Sequence, residues 1–264
     1  MNEDAIALYT PRLGAGLGLV AETGRLLELW QPGMTAPGLL NAALEVGAFP
    51  SVSARRLKNI VVEAFGPRFL TDGGRPAQLL KAIQGRIGAT DFRQLLLVYT
   101  CRANAVLGDF TREVYWGRYA AGLGAVLKED AQAFVARAVA DGKTRTRWSD
   151  TTILRVSQYL LGACTDFGLV GAMRGTGRVI LPFRITPVVA SFLAHDLHFR
   201  GLGDNAVVHH REWMLFGLEP NDTLDEMKRL ALKGQIIFQS AGGIAHIAWR
   251  LKSVEELPDV LAAC

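Results

Sequence analysis

The chain has little of what several protein classes require. Its 264 residues include only three cysteines, Cys101, Cys164 and Cys264, which lie far apart without CxxC spacing. This argues against a disulfide framework and against a zinc knuckle. No run of 18 apolar residues is present, so no transmembrane helix is expected. The opening MNEDAIALYTPR lacks the basic and apolar regions of a signal peptide. We therefore expect a cytoplasmic protein with reduced thiols and no membrane partner.

Motifs of common catalytic sites are also missing. The glycines of LGAGLGLVAETG (13–24) do not form GxGxxG, and no strand is predicted before them. Neither GxxxxGK[ST] nor GxSxG occurs, and no cysteine stands in a nucleophile motif. The sequence therefore predicts a protein that is not an enzyme and that holds no cofactor.

Four of the five histidines lie in FLAHDLHFRGLGDNAVVHH (192–210), at His195, His198, His209 and His210. The first two share a helix face, but HxxH lacks the acid of the HExxH metal motif. The last two are adjacent and point about 100° apart on a helix. Asp204 follows two glycines, where a helix N-cap is expected. A structural role is favoured over contact with a ligand or nucleic acid and over a metal site, and no metal ligand is assigned. A nuclease-like site on His195, His198 and Asp204 is the weakest alternative, and the role of the cluster stays open.

The charge pattern points to a polyanion. The formal net charge is +4 and the isoelectric point is about 9.1. Basic residues fall in three islands, because acidic or neutral sequence separates them. We define the N-terminal island as Arg55, Arg56 and Lys58, the middle island as Lys143, Arg145 and Arg147, and the C-terminal island as Lys228, Arg229, Lys233 and Arg250. Each island alone is typical of a solvated surface, but dispersed cations acting together are what phosphate binding requires. These ten residues are the predicted DNA-binding residues.

Two tryptophans stand beside these cations. Trp148 follows the middle island directly, and Trp249 precedes Arg250. Aromatic side chains near arginine can stack on bases. A buried position is the commoner one for tryptophan and is favoured for both.

The hydrophobic pattern predicts a mainly α fold with two domains. Residues 1–172 have helical periodicity, with about seven helices and no credible strand, which predicts a helical bundle. Residues 173–264 change character: a strand (RVILPF), three helices, a β-hairpin around Ala241-Gly242-Gly243 and a short last helix. This order is close to that of a winged helix, so we expect a small α+β winged-helix-like C-terminal module.

The order of segments resembles the BrxA family, an accessory protein of bacterial BREX (bacteriophage exclusion) defence systems. The resemblance extends from about residue 9 to 260. It rests on YTPRLGAGLGLVAETGRLLELW, FPSVSARRLKNIVVEAFGPRFL, QLLLVYTCRANAVLGDFTREVYW, WSDTTILRVSQYLLGACTDFGLV and ITPVVASFLAHDLHFRGLGDNAV. The resemblance implies a mostly helical, cytoplasmic protein that binds DNA and acts beside other BREX proteins. It also implies an N-terminal part similar to the antitermination factor NusB. It brings no catalytic residues.

The resulting hypothesis is a non-enzymatic DNA-binding accessory protein of phage defence. It would contact the phosphate backbone largely without sequence specificity, and double-stranded DNA is the expected partner. The alternative is a scaffold that docks other BREX proteins and has little DNA affinity of its own. The sequence does not show whether the protein prefers duplex or single-stranded DNA, or which island contributes most to binding. It also leaves open the oligomeric state and the step of defence that the protein serves.

Overall fold

A computed structural model of the chain describes residues 8–15 and 19–264. It confirms a mainly helical fold with a small β component. The chain folds into two compact units with interleaved sequences. Unit 1 contains the described residues up to Gln78 together with Leu96–Pro182, and unit 2 contains Leu79–Leu95 together with Phe183–Cys264. The sequence predicts a single boundary at 172/173, whereas the chain passes between the units at 78/79, 95/96 and 182/183.

The first helices contain the apolar stripes that the sequence predicts. They are α1 (Val20–Leu29), α2 (Ala36–Glu45), α3 (Ala54–Lys58), α4 (Gly66–Phe69), α5 (Arg75–Ile83) and α6 (Ala89–Ala103). A π-helical segment, Asn59–Phe65, joins α3 to α4. The Leu95–Val98 stretch of α6 is fully buried. Within the described residues no helix is both long and apolar enough to cross a bilayer.

The second half of unit 1 alternates helices with short strands. After α7 (Ala105–Phe110) and α8 (Trp116–Ala120) come β1 (Ala125–Leu127), α9 (Lys128–Ala140), α10 (Asp150–Asp166), β2 (Val170–Arg174) and β3 (Gly177–Ile180). The strands form an antiparallel sheet in the order β1-β3-β2. The order of elements is helix, strand, two helices and hairpin, and the last strand lies in the middle of the sheet. This order is similar to that of a winged helix-turn-helix, so we call residues 105–180 the winged module.

Buried contacts between α9 and α10 hold this module together. The Ser157 hydroxyl of α10 donates to the carbonyl of Ala131 on α9 at 3.2 Å. Phe134 of α9 is 3% exposed and meets the edge of Phe110 at 5.5 Å between ring centres. Burial of such side chains supplies most of the stability of a helix pair. These contacts join α9 to α10 and to α7.

Two predictions about strands are corrected here. Residues 1–172 were expected to contain no strand, but β1 lies within them and β2 begins there. The strand expected in RVILPF forms as β3, but it pairs with β1 and β2 in unit 1. The first strand of the winged-helix-like module predicted for 173–264 therefore belongs to unit 1. The order of elements similar to a winged helix is found instead in residues 105–180. A pattern in the sequence shows that a strand exists but not with which strand it pairs.

Unit 2 contains the remaining elements. They are α11 (Pro187–Phe199), α12 (Asp204–Val208), α13 (Pro220–Leu232), β4 (Ile236–Ala241), β5 (Ile244–Trp249) and α14 (Leu257–Ala262). β4 and β5 form the predicted hairpin. Gly242 and Gly243 at its turn both have positive φ, 58° and 80°, as a two-residue type I′ turn requires. The Gln94 side chain joins the two sequence segments of the unit, since its amide donates to Arg184 O at 2.7 Å and its oxygen accepts from Thr186 N at 3.1 Å.

Candidate nucleic-acid interface

The middle island lies in the segment between α9 and α10. Arg145 and Arg147 are exposed, and neither forms an ion pair with a carboxylate of residues 8–15 or 19–264. Lys143 is half-buried, with its Nζ 3.7 Å from Glu113 Oε1 and 5.7 Å from the centre of the Tyr9 ring. Two of the three cations are thus available to an external anion.

The segment that carries this island is anchored at both ends. Tyr9 N donates to Lys143 O at 2.7 Å. Trp148 is only 9% exposed, and the Ser149 hydroxyl caps α10 by accepting from Thr152 N at 3.3 Å. The arginines are therefore placed just before the N-terminus of α10, the end of a helix that attracts anions.

α10 is amphipathic along its full length. One side buries Val156, Leu160, Ala163 and Cys164. The opposite side faces solvent and contains Thr151, Leu154, Arg155, Gln158 and Gly162, at the three- and four-residue spacing of one helix face. The side chains of Arg155 and Gln158 make no hydrogen bond or ion pair to any other residue that the structure describes.

A basic hairpin follows α10 in the same module. Met173 of β2 faces Arg178 of β3, and Arg174 faces Gly177. Arg174 is exposed and Arg178 is half-buried. The turn contains Gly175 at φ 60°, a conformation that glycine adopts without strain. One exposed cation therefore stands at the tip of the hairpin.

The N-terminal island also lies in unit 1, on α3. The Ser53 hydroxyl caps this helix by accepting from Arg56 N at 3.3 Å. Leu57 points inward, with 3% exposure, whereas Arg55, Arg56 and Lys58 are exposed. Alternation of Leu57 with its neighbours thus produces the outward basic face that the sequence predicts.

Not every arginine near this island faces the solvent. Arg68, on α4, is 3% exposed. Burial lowers the pKa of its guanidinium to about 10. It belongs to the interior of unit 1 and adds nothing to the basic surface.

The C-terminal island lies in unit 2, and its helix is locally neutralised. Lys228 Nζ is 2.8 Å from Asp225 Oδ1, and this contact lowers the pKa of the carboxyl. Arg229 pairs with Glu226, whose pKa is raised by burial despite the opposing effect of Arg229. Exposed pairs of this kind are weak and exchange with other partners. Even so, α13 has no surplus positive charge to offer a phosphate, since its three acids outnumber Lys228 and Arg229.

The other two cations of this island lie beyond α13. Lys233 Nζ donates to Cys264 O at 3.3 Å. Arg250 follows β5 and is exposed. Two of the islands therefore belong to unit 1 and the third to unit 2.

The histidines have separate structural partners. His195 is fully buried, its Nδ1 is 2.8 Å from Ser191 O, and burial lowers its pKa. His198 stacks on Trp249 at 4.2 Å between ring centres and 11° between planes. Burial also lowers the pKa of His198, against the effect of Asp204. His209 Nδ1 is 2.8 Å from Asn205 O, and His210 Nδ1 accepts from Glu212 N at 3.3 Å. Each of these four histidines thus contacts a neighbouring backbone group or ring and has a structural role.

Asp204 corrects another expectation. Gly203, not Asp204, is the N-cap of α12. The Asp204 carboxylate accepts from Ile247 N at 2.8 Å and from Trp249 Nε1 at 3.2 Å. The neighbouring Asn205 Oδ1 accepts from Ala245 N at 2.8 Å. These two side chains hold the outer edge of β5 to α12.

No metal-like cluster is found in the described part of the chain: no three or more His, Cys, Asp or Glu side chains are grouped to hold an ion. The tryptophans are also engaged internally. Trp148 is 9% exposed, and the Trp249 ring contacts both His195 and His198. Neither indole offers a free stacking platform.

Three exposed residues of the winged module are not among the ten predicted DNA-binding residues. They are Arg155 and Gln158 on α10 and Arg174 on the hairpin. The helical spacing of Thr151, Arg155 and Gln158 opposite an apolar stripe was a signal in the sequence. The sequence alone did not show that this spacing matters, because the strands that make α10 part of a winged module could not be predicted.

Comparison with known proteins gives one informative match. The model of the BrxA family matches residues 7–196. No curated protein matches the chain. A crystal structure of an uncharacterized protein from Magnetospirillum magneticum is similar with a TM-score of 0.41 and 16% identity, over 72% of this chain and 94% of that chain. At that level the structural likeness supports no argument about fold or function.

Proposed function

Since this chain belongs to the BrxA family, and is therefore a BREX-associated protein, we propose that it is an accessory protein that binds duplex DNA through the phosphate backbone. BrxA is not a known enzyme family, and the proposal assigns the chain no catalytic step. Other BREX proteins are its expected partners in phage defence.

The observation that supports this proposal is the position of the middle island. Arg145 and Arg147 are exposed, lack an ion pair within the described residues and lie between α9 and α10 of the winged module. In helix-turn-helix proteins the second helix enters the major groove while the elements before it cross the backbone. Cations at this position therefore meet phosphates when the second helix docks.

The remaining islands have secondary roles in the proposal. Arg55, Arg56 and Lys58 provide further phosphate contacts from unit 1, because all three are exposed. Lys228 and Arg229 contribute less, since each already has a carboxylate within its own helix turn. Lys233 and Arg250 are the other two proposed phosphate contacts of the C-terminal island. The expected order of importance is middle, N-terminal, C-terminal.

Salt titration of DNA binding tests the proposal. Fluorescence anisotropy of a labelled ~30-base-pair duplex would be measured with the wild type and with Arg145→Gln/Arg147→Gln. If about five phosphates are contacted, the slope of log K against log salt is roughly −4 to −5. Loss of two contacts is expected to make it about 2 units shallower and to weaken binding roughly 10- to 100-fold near 0.1 M salt.

A control with the same loss of charge separates location from net charge. Arg25→Gln/Arg75→Gln also removes two exposed cations from unit 1, both of which are paired, with Glu28 and Asp72. This variant is expected to bind almost as the wild type does. An equal loss in both variants would show that binding follows net charge alone. Flat wild-type anisotropy at low salt would refute DNA binding.

A second candidate function is the docking of other BREX proteins as a scaffold. Exposed apolar side chains in unit 2 favour it: Leu232 is 88% exposed, Ile244 66% and Ile237 52%. Apolar side chains exposed to this degree are available for contact with a partner protein. A refuted DNA-binding result would make this candidate the leading one.

A further inference from the structure

The solvent face of α10 carries the side chains that base recognition uses. Thr151, Arg155, Gln158 and Gly162 form one stripe on the side opposite the buried Val156 and Leu160. Arginine pairs in a bidentate manner with guanine and glutamine with adenine in the major groove. Threonine contacts several bases, and an apolar side chain such as Leu154, 44% exposed, suits a thymine methyl.

These side chains have no competing partners. The side chains of Arg155 and Gln158 form no hydrogen bond or ion pair within the part of the chain that the structure describes. On α13, by contrast, Lys228 and Arg229 pair with Asp225 and Glu226. A side chain that reads a base gives up its bound water and forms hydrogen bonds to the base edge. An internal ion pair would oppose this step, because it would have to break first. α10 is thus better suited than α13 to enter a groove.

The elements around α10 suit the same docking. Arg145 and Arg147 precede its N-terminus, and Arg174 stands at the exposed end of the β2–β3 hairpin that follows it. The anchoring by Ser157 and Ala131 fixes α10 on α9. Side chains on a rigid helix are held more precisely than those on a loop. Cations thus precede α10 and follow it in the chain. The stripe from Thr151 to Gly162 contains no acidic side chain, whereas the exposed Asp150 and Asp166 lie at the two ends of the helix.

We infer that α10 is a recognition helix that lies in the major groove of duplex DNA, with Arg155 and Gln158 contacting base edges and Arg174 contacting the flanking backbone. This inference rests on the proposed function and extends it, because it adds sequence preference to backbone binding. The occupant is double-stranded DNA, since only a duplex has a major groove.

Selection from a pool of randomised duplexes tests the inference. The wild type is expected to enrich a short motif and to bind it about 5- to 150-fold more tightly than a scrambled duplex, the discrimination of one good bidentate contact. Arg155→Lys keeps the charge but loses the bidentate fork. It is expected to relax the motif position that Arg155 contacts while leaving the salt slope almost unchanged. Gln158→Ala is expected to relax one position of the motif.

The control is Arg137→Lys on α9, where the arginine is exposed but paired with Glu113. It is expected to keep both motif and affinity, and thermal unfolding of each variant establishes that it folds. Salt-dependent binding with no enriched motif would overturn the recognition helix and leave backbone binding standing. A motif that Arg155→Lys and Gln158→Ala leave unchanged would also overturn it. Absence of all binding at low salt would refute the proposed function itself.

Discussion

At the scale of single residues, Asp204 shows how a local pattern can mislead. Two glycines before it predict an N-cap, because acidic side chains commonly cap helices. Its carboxylate instead binds the backbone of Ile247 and the indole of Trp249. Those residues are far away in sequence, and no periodicity predicts such a contact. The Trp249 ring in turn packs against His195 and His198.

Asp204→Ala is therefore expected to destabilise the protein. Two donors on β5 would lose their acceptor, and each unsatisfied donor costs about 1–3 kcal/mol when buried. We expect the free energy of unfolding to fall by roughly 2–4 kcal/mol in urea denaturation. Asp225→Ala is the matched control, since Asp225 only pairs with Lys228 at the surface and its loss should change the free energy of unfolding very little. Equal effects of the two substitutions would contradict the role given to Asp204.

Exposure of the basic residues was easier to predict than their pairing. Helical spacing places Leu57 inward and its basic neighbours outward, and the structure agrees. The pairs of Lys228 and Arg229 are local too, but whether such pairs form depends on rotamers that the sequence does not specify. The predicted set of ten DNA-binding residues remains a prediction.

At the scale of elements, helices could be predicted and strand partners could not. α9 and α10 lie within the stretch of residues 1–172 whose periodicity predicts helices. β1 has three residues and β2 includes Gly171, so neither shows enough alternation to be distinguished from a loop or a helix end. Long-range pairing of these short strands turns two ordinary helices into a winged module, and local patterns carry no information about it.

Close packing between β1 and β3 gives a test of that pairing. A Cβ added at Gly177 would lie 2.8 Å from Leu127 Cδ2 and 3.1 Å from Val126 O. Gly177→Ala is expected to lower the free energy of unfolding by about 1–3 kcal/mol, because extra atoms in a packed site force displacement. Urea unfolding followed by tryptophan fluorescence measures it. Gly124→Ala, with nothing within 4 Å, is the control and should be nearly neutral. A neutral Gly177→Ala would argue against the β1–β3 register.

At the scale of the whole molecule, the units are not consecutive in sequence. Residues 172 and 173 lie inside β2, which is paired with β3, so the expected boundary does not fall in a linker. Composition changes near this point because the helices of unit 1 give way to strands of the same unit. The change in sequence pattern near residue 172 therefore does not coincide with the boundary between the units at 182/183.

Limited trypsin digestion of the whole protein distinguishes these descriptions. The first cuts are expected after Lys143, Arg145 or Arg147, in the exposed segment between α9 and α10, because irregular exposed segments fit a protease. Duplex DNA is expected to slow these cuts at least severalfold, since bound phosphates would cover the arginines. Mass spectrometry of the early fragments provides the measurement. First cuts after Arg174 or Arg178 would instead indicate a flexible linker near 172/173.

The interleaved sequence also sets an order in time during synthesis. Gln94 and Arg86 in the first segment of unit 2 contact Arg184 and Asp259 in the second, and all of Leu96–Pro182 is translated between them. At about 5–20 residues per second, the first segment waits several seconds on the ribosome for its partners. During that interval Leu79, Leu80 and Ile83, buried in the finished protein, lack the rest of their unit. Unit 1 can be completed on the ribosome, whereas unit 2 closes only as the last part of the chain emerges.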